Sequence, residues 1–337
     1  MKKSENCVAA SAAMEEDELL SDALDDLLHE IFNLQSILKP KINQNPQNSD
    51  NEIGENLTSA KLWTDYDSLV ASVAQQCTNF AMAFDQPPYP SGSSAAGLCK
   101  KLREPVELLA RFAQFWQLKA PAVVGNACWT QATRSLLQVA DALKSLVVAV
   151  KSSGKRKLKL VSTGTVWEKC EWARATPRSA AACVRAEALT ASALLTDAVG
   201  ELKADQGQGG DGDDEDLPVK QLRAPLIGLL TVGRALCLKL QGLTEVVEQD
   251  LSLLDGLVTR VGQFSELADD LAVAFYEFCE ESELKAEFVE KVNGMHEFLV
   301  ECLEECQKLQ QTEEFEKRMQ FLRKAADHNK EKLLLEE

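Results

Sequence analysis

From Leu226 to the final residue, Glu337, the chain contains no proline, and apolar side chains recur along that stretch at alternating three- and four-residue spacing; no other feature constrains the fold as tightly. Over 250–281, Leu254, Leu257, Val261, Phe264, Ala268, Leu271, Phe275 and Phe278 fall on one side of a 3.6-residue period. Alternation this strict belongs to helices that pack on a neighbour in coiled-coil fashion. A last helix over 283–330 continues it through Leu284, Phe288, Val292, Met295, Leu299, Cys302, Cys306 and Leu309, then Phe315, Met319 and Leu322. A single stripe does not offset the conformational entropy of the helix that carries it, so every such helix requires partners.

The rest of the chain reads the same way. Glu15 to Leu38 places Leu20, Leu24, Leu27, Ile31, Leu34 and Leu38 on one stripe, has acids in its first turns where the helix dipole favours them, and is closed by Pro40. A second helix, to about Phe84, carries Leu62, Tyr66, Leu69, Val73, Cys77, Phe80 and Phe84, and the Pro-rich turn 86–92 stops it. Helices over 94–119 and 122–151 follow, separated by Pro121. Then come a short helix around Val166–Trp172, ending before Pro177, and an Ala-rich helix over 180–203. Runs of alternating Val, Ile and Thr between turns are missing, so the expected fold class is all-α.

Composition sets the boundaries. Residues 204–218 are an acidic Gly/Asp stretch too poor in apolar side chains to fold on its own, and this predicts a linker between two helical bundles. The expected layout is a disordered start (1–14), an N-terminal bundle (15–203, with a loop at 39–58), the linker (204–218), a C-terminal bundle (219–330) and a tail (331–337). No apolar run nears the roughly 18–20 residues of a membrane span, so no membrane partner is expected.

The net charge is −17, which opposes direct nucleic-acid binding, since phosphate contacts need clustered cations. Its distribution is uneven: residues 1–56 carry −8, 57–204 carry +7 and 205–337 carry −16. The segmentation predicts intramolecular docking, with acidic segments seated on the basic 57–204 bundle and masking it. Lys151 to Lys159 holds five cations and no acid, and reads as a solvated loop.

Chemistry-bearing constellations are sparse. His29, His296 and His328 lie near no nucleophile-elbow pattern. The ten cysteines are scattered, mostly on apolar stripes, as reduced thiols acting as small hydrophobes. Cys302 and Cys306 sit one turn apart, but no second pair completes a metal site. Trp167 and Trp172, five residues apart, are expected to be core anchors. No residue is assigned a catalytic, cofactor or metal role, no cofactor is expected, and the protein is not expected to be an enzyme.

Three segments resemble the cyclin-D-binding protein family, regulators of helix-loop-helix type that lack a basic region. They are Leu62-Trp63 through Val73 to Ala83-Phe84-Asp85-Gln86-Pro87-Pro88-Tyr89-Pro90-Ser91; Ser162 to Cys170, with Pro177-Arg178; and the acidic linker with Arg223-Ala224-Pro225-Leu226, Arg234 to Cys237 and Leu267 to Ala272. The resemblance covers about residues 60–310. After Phe275-Tyr276 the chain departs from the animal pattern, continuing Glu277-Phe278-Cys279 where animal relatives have prolines, so a longer helix is expected there. What the resemblance implies is a non-catalytic protein of two bundles, akin to vinculin- and talin-type up-and-down packing. It would bind D-type cyclin and helix-loop-helix-type proteins, restrain cell-cycle progression, and occupy cytoplasm and nucleus. The alternative reading is an actin-type cytoskeletal adaptor, which the acidic C-terminal region opposes.

Overall fold

The computed structural model describes residues 2–39, 58–85, 88–153, 160–208, 217–242, 250–280, 282–309 and 312–334, and among them no residue is in a strand. The helices are α1 (Lys2–Leu38), α2 (Ser59–Asp85), α3 (Gly92–Lys119), α4 (Pro121–Val124), α5 (Asn126–Ser153), α6 (Leu160–Arg174), α7 (Ala180–Gln208), α8 (Leu217–Leu240), α9 (Leu251–Glu280), α10 (Lys285–Gln307) and α11 (Glu313–Leu334). The chain divides into two compact units, 1–178 and 179–337.

In the first unit the long helices neighbour one another in the order α1, α3, α2, α6, α5, and α5 returns to α1. The ring follows from the stripes: Leu24, Leu27, Ile31, Leu34 and Leu38 of α1 are buried, as are Cys99, Leu102, Val106, Leu109 and Trp116 of α3. Gln35 donates to Asp141 at 2.6 Å and Lys144 lies over the Phe32 ring, so α5 runs antiparallel to α1. Gly125, at φ 88°, takes the left-handed backbone that glycine tolerates and ends α4 before α5 begins. Trp63, Tyr66 and Trp116 meet edge to face, with centroids 4.8–5.5 Å apart, and Phe112 and Trp129 flank them.

The second unit has its own ring, in the order α7, α8, α11, α10, α9 and back to α7. Phe264 meets Phe298 at 5.0 Å and Phe275 meets Phe288 at 5.8 Å, which sets α9 and α10 antiparallel. Arg223 is buried, its guanidinium 5.7 Å from the Phe275 ring. The stretch Gln221–Leu240 is, by length and composition alone, apolar enough to cross a membrane, contrary to expectation. Here Leu222, Leu226, Leu229, Leu230 and Leu236 are buried in the unit's core, where the same leucines serve helix packing.

The expected boundary at 204–218 is corrected. The Ala-rich α7 belongs to the second unit, because Val184, Ala188, Leu195, Val199 and Leu202 join the core formed by α8 to α11. The units part at the turn holding Pro177, where the Ser179 hydroxyl accepts the Ala182 N–H at the start of α7. Helix continues to Gln208 and resumes at Leu217, and 209–216, the centre of the expected linker, lie outside the described residues. So do 40–57 of the expected loop, 154–159 of the basic run and 335–337 of the expected tail.

Other differences have local causes. The start is helical from Lys2, since the Ala-rich run before Glu15 favours helix and holds no breaker. The tail is helical to Leu334. The single helix expected over 283–330 is two: α10 ends at Gln307, and α11 begins where the Thr312 hydroxyl accepts the Phe315 N–H, with Glu313, Glu314 and Glu316 in its first turn. The apolar stripe skips from Leu309 to Phe315 at this break. With the division at 178, charge redistributes completely. Residues 1–178 hold 20 basic and 20 acidic side chains, whereas 179–337 hold 16 and 33. The acidic α1 accounts for this neutrality, and Asp26 pairs with Arg103 at 3.1 Å and Asp25 with Lys151.

Candidate interaction surfaces

Reactive groups are dispersed or suppressed. His29 and His328 are exposed on different helices, while His296 of α10 hydrogen-bonds Asp327 of α11 at 2.7 Å. Burial pushes the thiols of Cys77, Cys99, Cys170, Cys237 and Cys302 up to about 12, and Cys306 still higher. They are protonated and poorly nucleophilic at neutral pH. Among the described residues no three His, Cys, Asp or Glu side chains are grouped as a metal would need.

Surface aromatics are the more informative feature. On α6 the core positions are held by Val166, Cys170 and Ala173, at four-then-three spacing. Trp167 and Trp172 therefore face outward, 42% and 53% exposed, which corrects their expected place in the core. Both are held in position. The Trp167 indole donates to the Thr78 hydroxyl at 2.9 Å, and that hydroxyl donates in turn to the Ala74 carbonyl. Lys169 places its ammonium 3.4 Å from the Trp172 ring centroid. Exposed, positioned tryptophans suit protein recognition, where aromatic anchors contribute large area at low entropic cost. The signal was present in the sequence, since the 166, 170, 173 spacing leaves 167 and 172 off the stripe.

In the second unit, a groove runs along the α9–α10 seam. Two adjoining cavities of about 600 and 410 Å³ share Leu267, Asp270, Gly294 and Glu297, and Phe298 adds to the apolar floor. Glu266, Glu290 and Glu301 line it further, against Lys291, which bridges to Asp270 at 2.8 Å. At one end Arg260 binds Glu305 at 2.9 Å and also Glu301, and hydrogen bonding to Glu301 raises the arginine pKa further. A Cβ added at Gly294 would meet no atom within 4 Å, so the groove is open above it.

Residues 65–206 match the family model described as Grap2 and cyclin-D-interacting, N-terminal. The match takes in α6 with its two tryptophans and ends inside α7. A cyclin-D1-binding protein 1 homolog of Xenopus laevis is 24% identical over 248 residues, covering 66% of this chain and 74% of that protein. A homolog of the same name from Danio rerio is 24% identical over 250 residues, covering 67% and 72%. A family domain over 65–206 and relatives aligned along about two thirds of the chain together make it similar to the cyclin-D-binding protein family.

Proposed function

We propose that the protein is a non-catalytic interaction regulator that binds a D-type cyclin and thereby restrains cell-cycle progression, acting in cytoplasm and nucleus. The observation that carries the reading is the family match over 65–206, a segment that presents Trp167 and Trp172 to solvent on a rigid helix. The cyclin contact is assigned to that α6 face. Binding of the full-length chain to a purified D-type cyclin, measured by calorimetry, tests it. Trp172→Ala should weaken binding at least about tenfold, the loss of a modest interface anchor, while leaving the melting temperature unchanged. A wild-type chain that ignores D-type cyclins overturns the function; a variant that binds normally overturns the surface.

For helix-loop-helix-type partners, the α9–α10 groove supports a second contact. An apolar floor rimmed by carboxylates suits an amphipathic helix with basic flanks, laid in by the helix-in-groove mode. Gly294→Leu, which fills the open centre, should abolish that binding and leave cyclin binding intact.

A further inference from the structure

α3 carries an apolar stripe on one side and a mixed apolar and charged stripe on the other. The inner one is buried in the first unit. The outer one, on the opposite side, holds Gly97, Lys101, Glu104, Leu108, Arg111, Phe115 and Leu118, spaced four, three, four, three, four, three, and every one of the seven is exposed. Leu108 is 50% exposed, Phe115 44% and Leu118 71%. Three exposed apolar side chains set among charged ones at coiled-coil spacing suit a second helix whose charges complement them.

We propose that the occupant is α3 of a second copy of this chain, packed antiparallel about a two-fold axis at Leu108. The order of residues along the seam carries the argument. Glu104 and Arg111 flank Leu108 one turn to either side, about 10.5 Å apart at the helix rise. In the antiparallel pair, Glu104 of each copy faces Arg111 of the other and the two leucines meet. The same register sets Lys101 against the other copy's Phe115, and Leu118, the most exposed apolar side chain of α3 at 71%, against Gly97. A Cβ at Gly97 would meet nothing within 4 Å, so the space Leu118 needs is open. A parallel pair would instead set Glu104 against Glu104 and Arg111 against Arg111, so charge selects the antiparallel arrangement. A single helix pair falls at the small end of stable interfaces, so the dimer forms reversibly at roughly 10 µM to 1 mM.

Sedimentation equilibrium of the full-length chain over that range tests the proposal. The wild type should show a monomer–dimer equilibrium. Glu104→Arg alone and Arg111→Glu alone each create two like-charge contacts and should weaken dimerisation at least about tenfold. The double variant E104R/R111E restores both pairs and should dimerise as the wild type does. Mixing the two single variants should give heterodimers, because each supplies the charge the other lacks. A wild type that stays monomeric at the top concentration overturns the proposal. Single variants that dimerise normally, or a mixture that does not, also overturn it. All of these changes lie on the solvent face, and unchanged melting temperatures would show that folding is intact.

Discussion

Trp63 and Arg178 hold each other through two contacts of different kinds: the indole N–H donates to the Arg178 carbonyl at 2.9 Å, and the Arg178 guanidinium lies 5.7 Å from the Trp63 ring. Arg178 also pairs with Asp67 at 2.8 Å, so the start of α2 is fastened to the last residue of the first unit. Trp63→Phe keeps an aromatic ring but removes part of the buried indole together with its donor to a part-buried carbonyl, which should cost about 2–4 kcal/mol in urea unfolding. Arg178→Ala keeps the carbonyl and loses exposed charge contacts only, so it should cost less, about 0.5–1 kcal/mol. The reverse order would mean that charge, and not the buried hydrogen bond, ties the two elements.

The N-terminus of α3 meets α1 at van der Waals limits. A Cβ on Gly92 would sit 2.2 Å from the Glu16 carbonyl oxygen, which is backbone and cannot swing aside. Gly92→Ala should therefore destabilise by about 1–3 kcal/mol, as overpacking does. Gly97→Ala, in the same helix with open space around it, should stabilise by about 0.5–1 kcal/mol. Thermal melts of the two variants should move in opposite directions.

α1 is retained by its leucines and not by its acids. Leu27 and Ile31 are fully buried, whereas the Asp25–Lys151 and Asp26–Arg103 pairs are exposed. Leu27→Ala should cost about 2–5 kcal/mol. Replacing Asp25 and Asp26 together by asparagine should cost about 1 kcal/mol or less, and raising salt should leave the unit's stability nearly unchanged. If high salt detaches α1, as judged by protease cleavage ahead of residue 59, electrostatics and not burial holds it.

The buried cysteines make stability depend on alkaline pH. Their folded pKa values, about 12 for Cys77, Cys99, Cys170, Cys237 and Cys302, lie above the ordinary 9.0 because burial disfavours thiolate. Below about pH 9 both states are protonated and the burial contribution is intact; above it the unfolded chain alone releases protons, and stability falls as pH climbs toward 12. Urea midpoints should accordingly drop between pH 9 and the onset of chemical damage. Native protein at neutral pH should also leave these thiols unmodified by a disulfide reagent until it is unfolded.

Much of the core was legible because burial in an all-helical chain is written in the 3.6-residue period. On α5 the stripe residues Leu136, Val139, Leu143, Leu146 and Val150 are all buried. Where two neighbouring residues compete for one position, the period alone does not choose: Val70, not Leu69, is fully buried on α2, and Cys99, not Leu98, on α3. The tryptophans of α6 lie outside the core for a different reason. Size and apolarity argued for the core, but Val166, Cys170 and Ala173 already filled it, and small residues there let α6 pack close to α2 and α5. The allegiance of α7 was hidden because composition marks where a chain turns polar, while packing depends on which neighbours offer complementary faces. On the outer side of α3, Lys101, Glu104 and Arg111 interrupt Leu108, Phe115 and Leu118 and dilute the apolar period.

The allegiance of α7 matters to anyone who would cut this protein down. A fragment trimmed to the edges of the family match, 65–206, would begin after the first turn of α2, lose α1 and end with α7 stripped of α8 and α9. Leu195, Val199 and Leu202 would then have only water to face, and the severed helix would seek grease wherever it could find it, in neighbouring molecules first. Scissors placed near Pro177 respect the grain of the molecule.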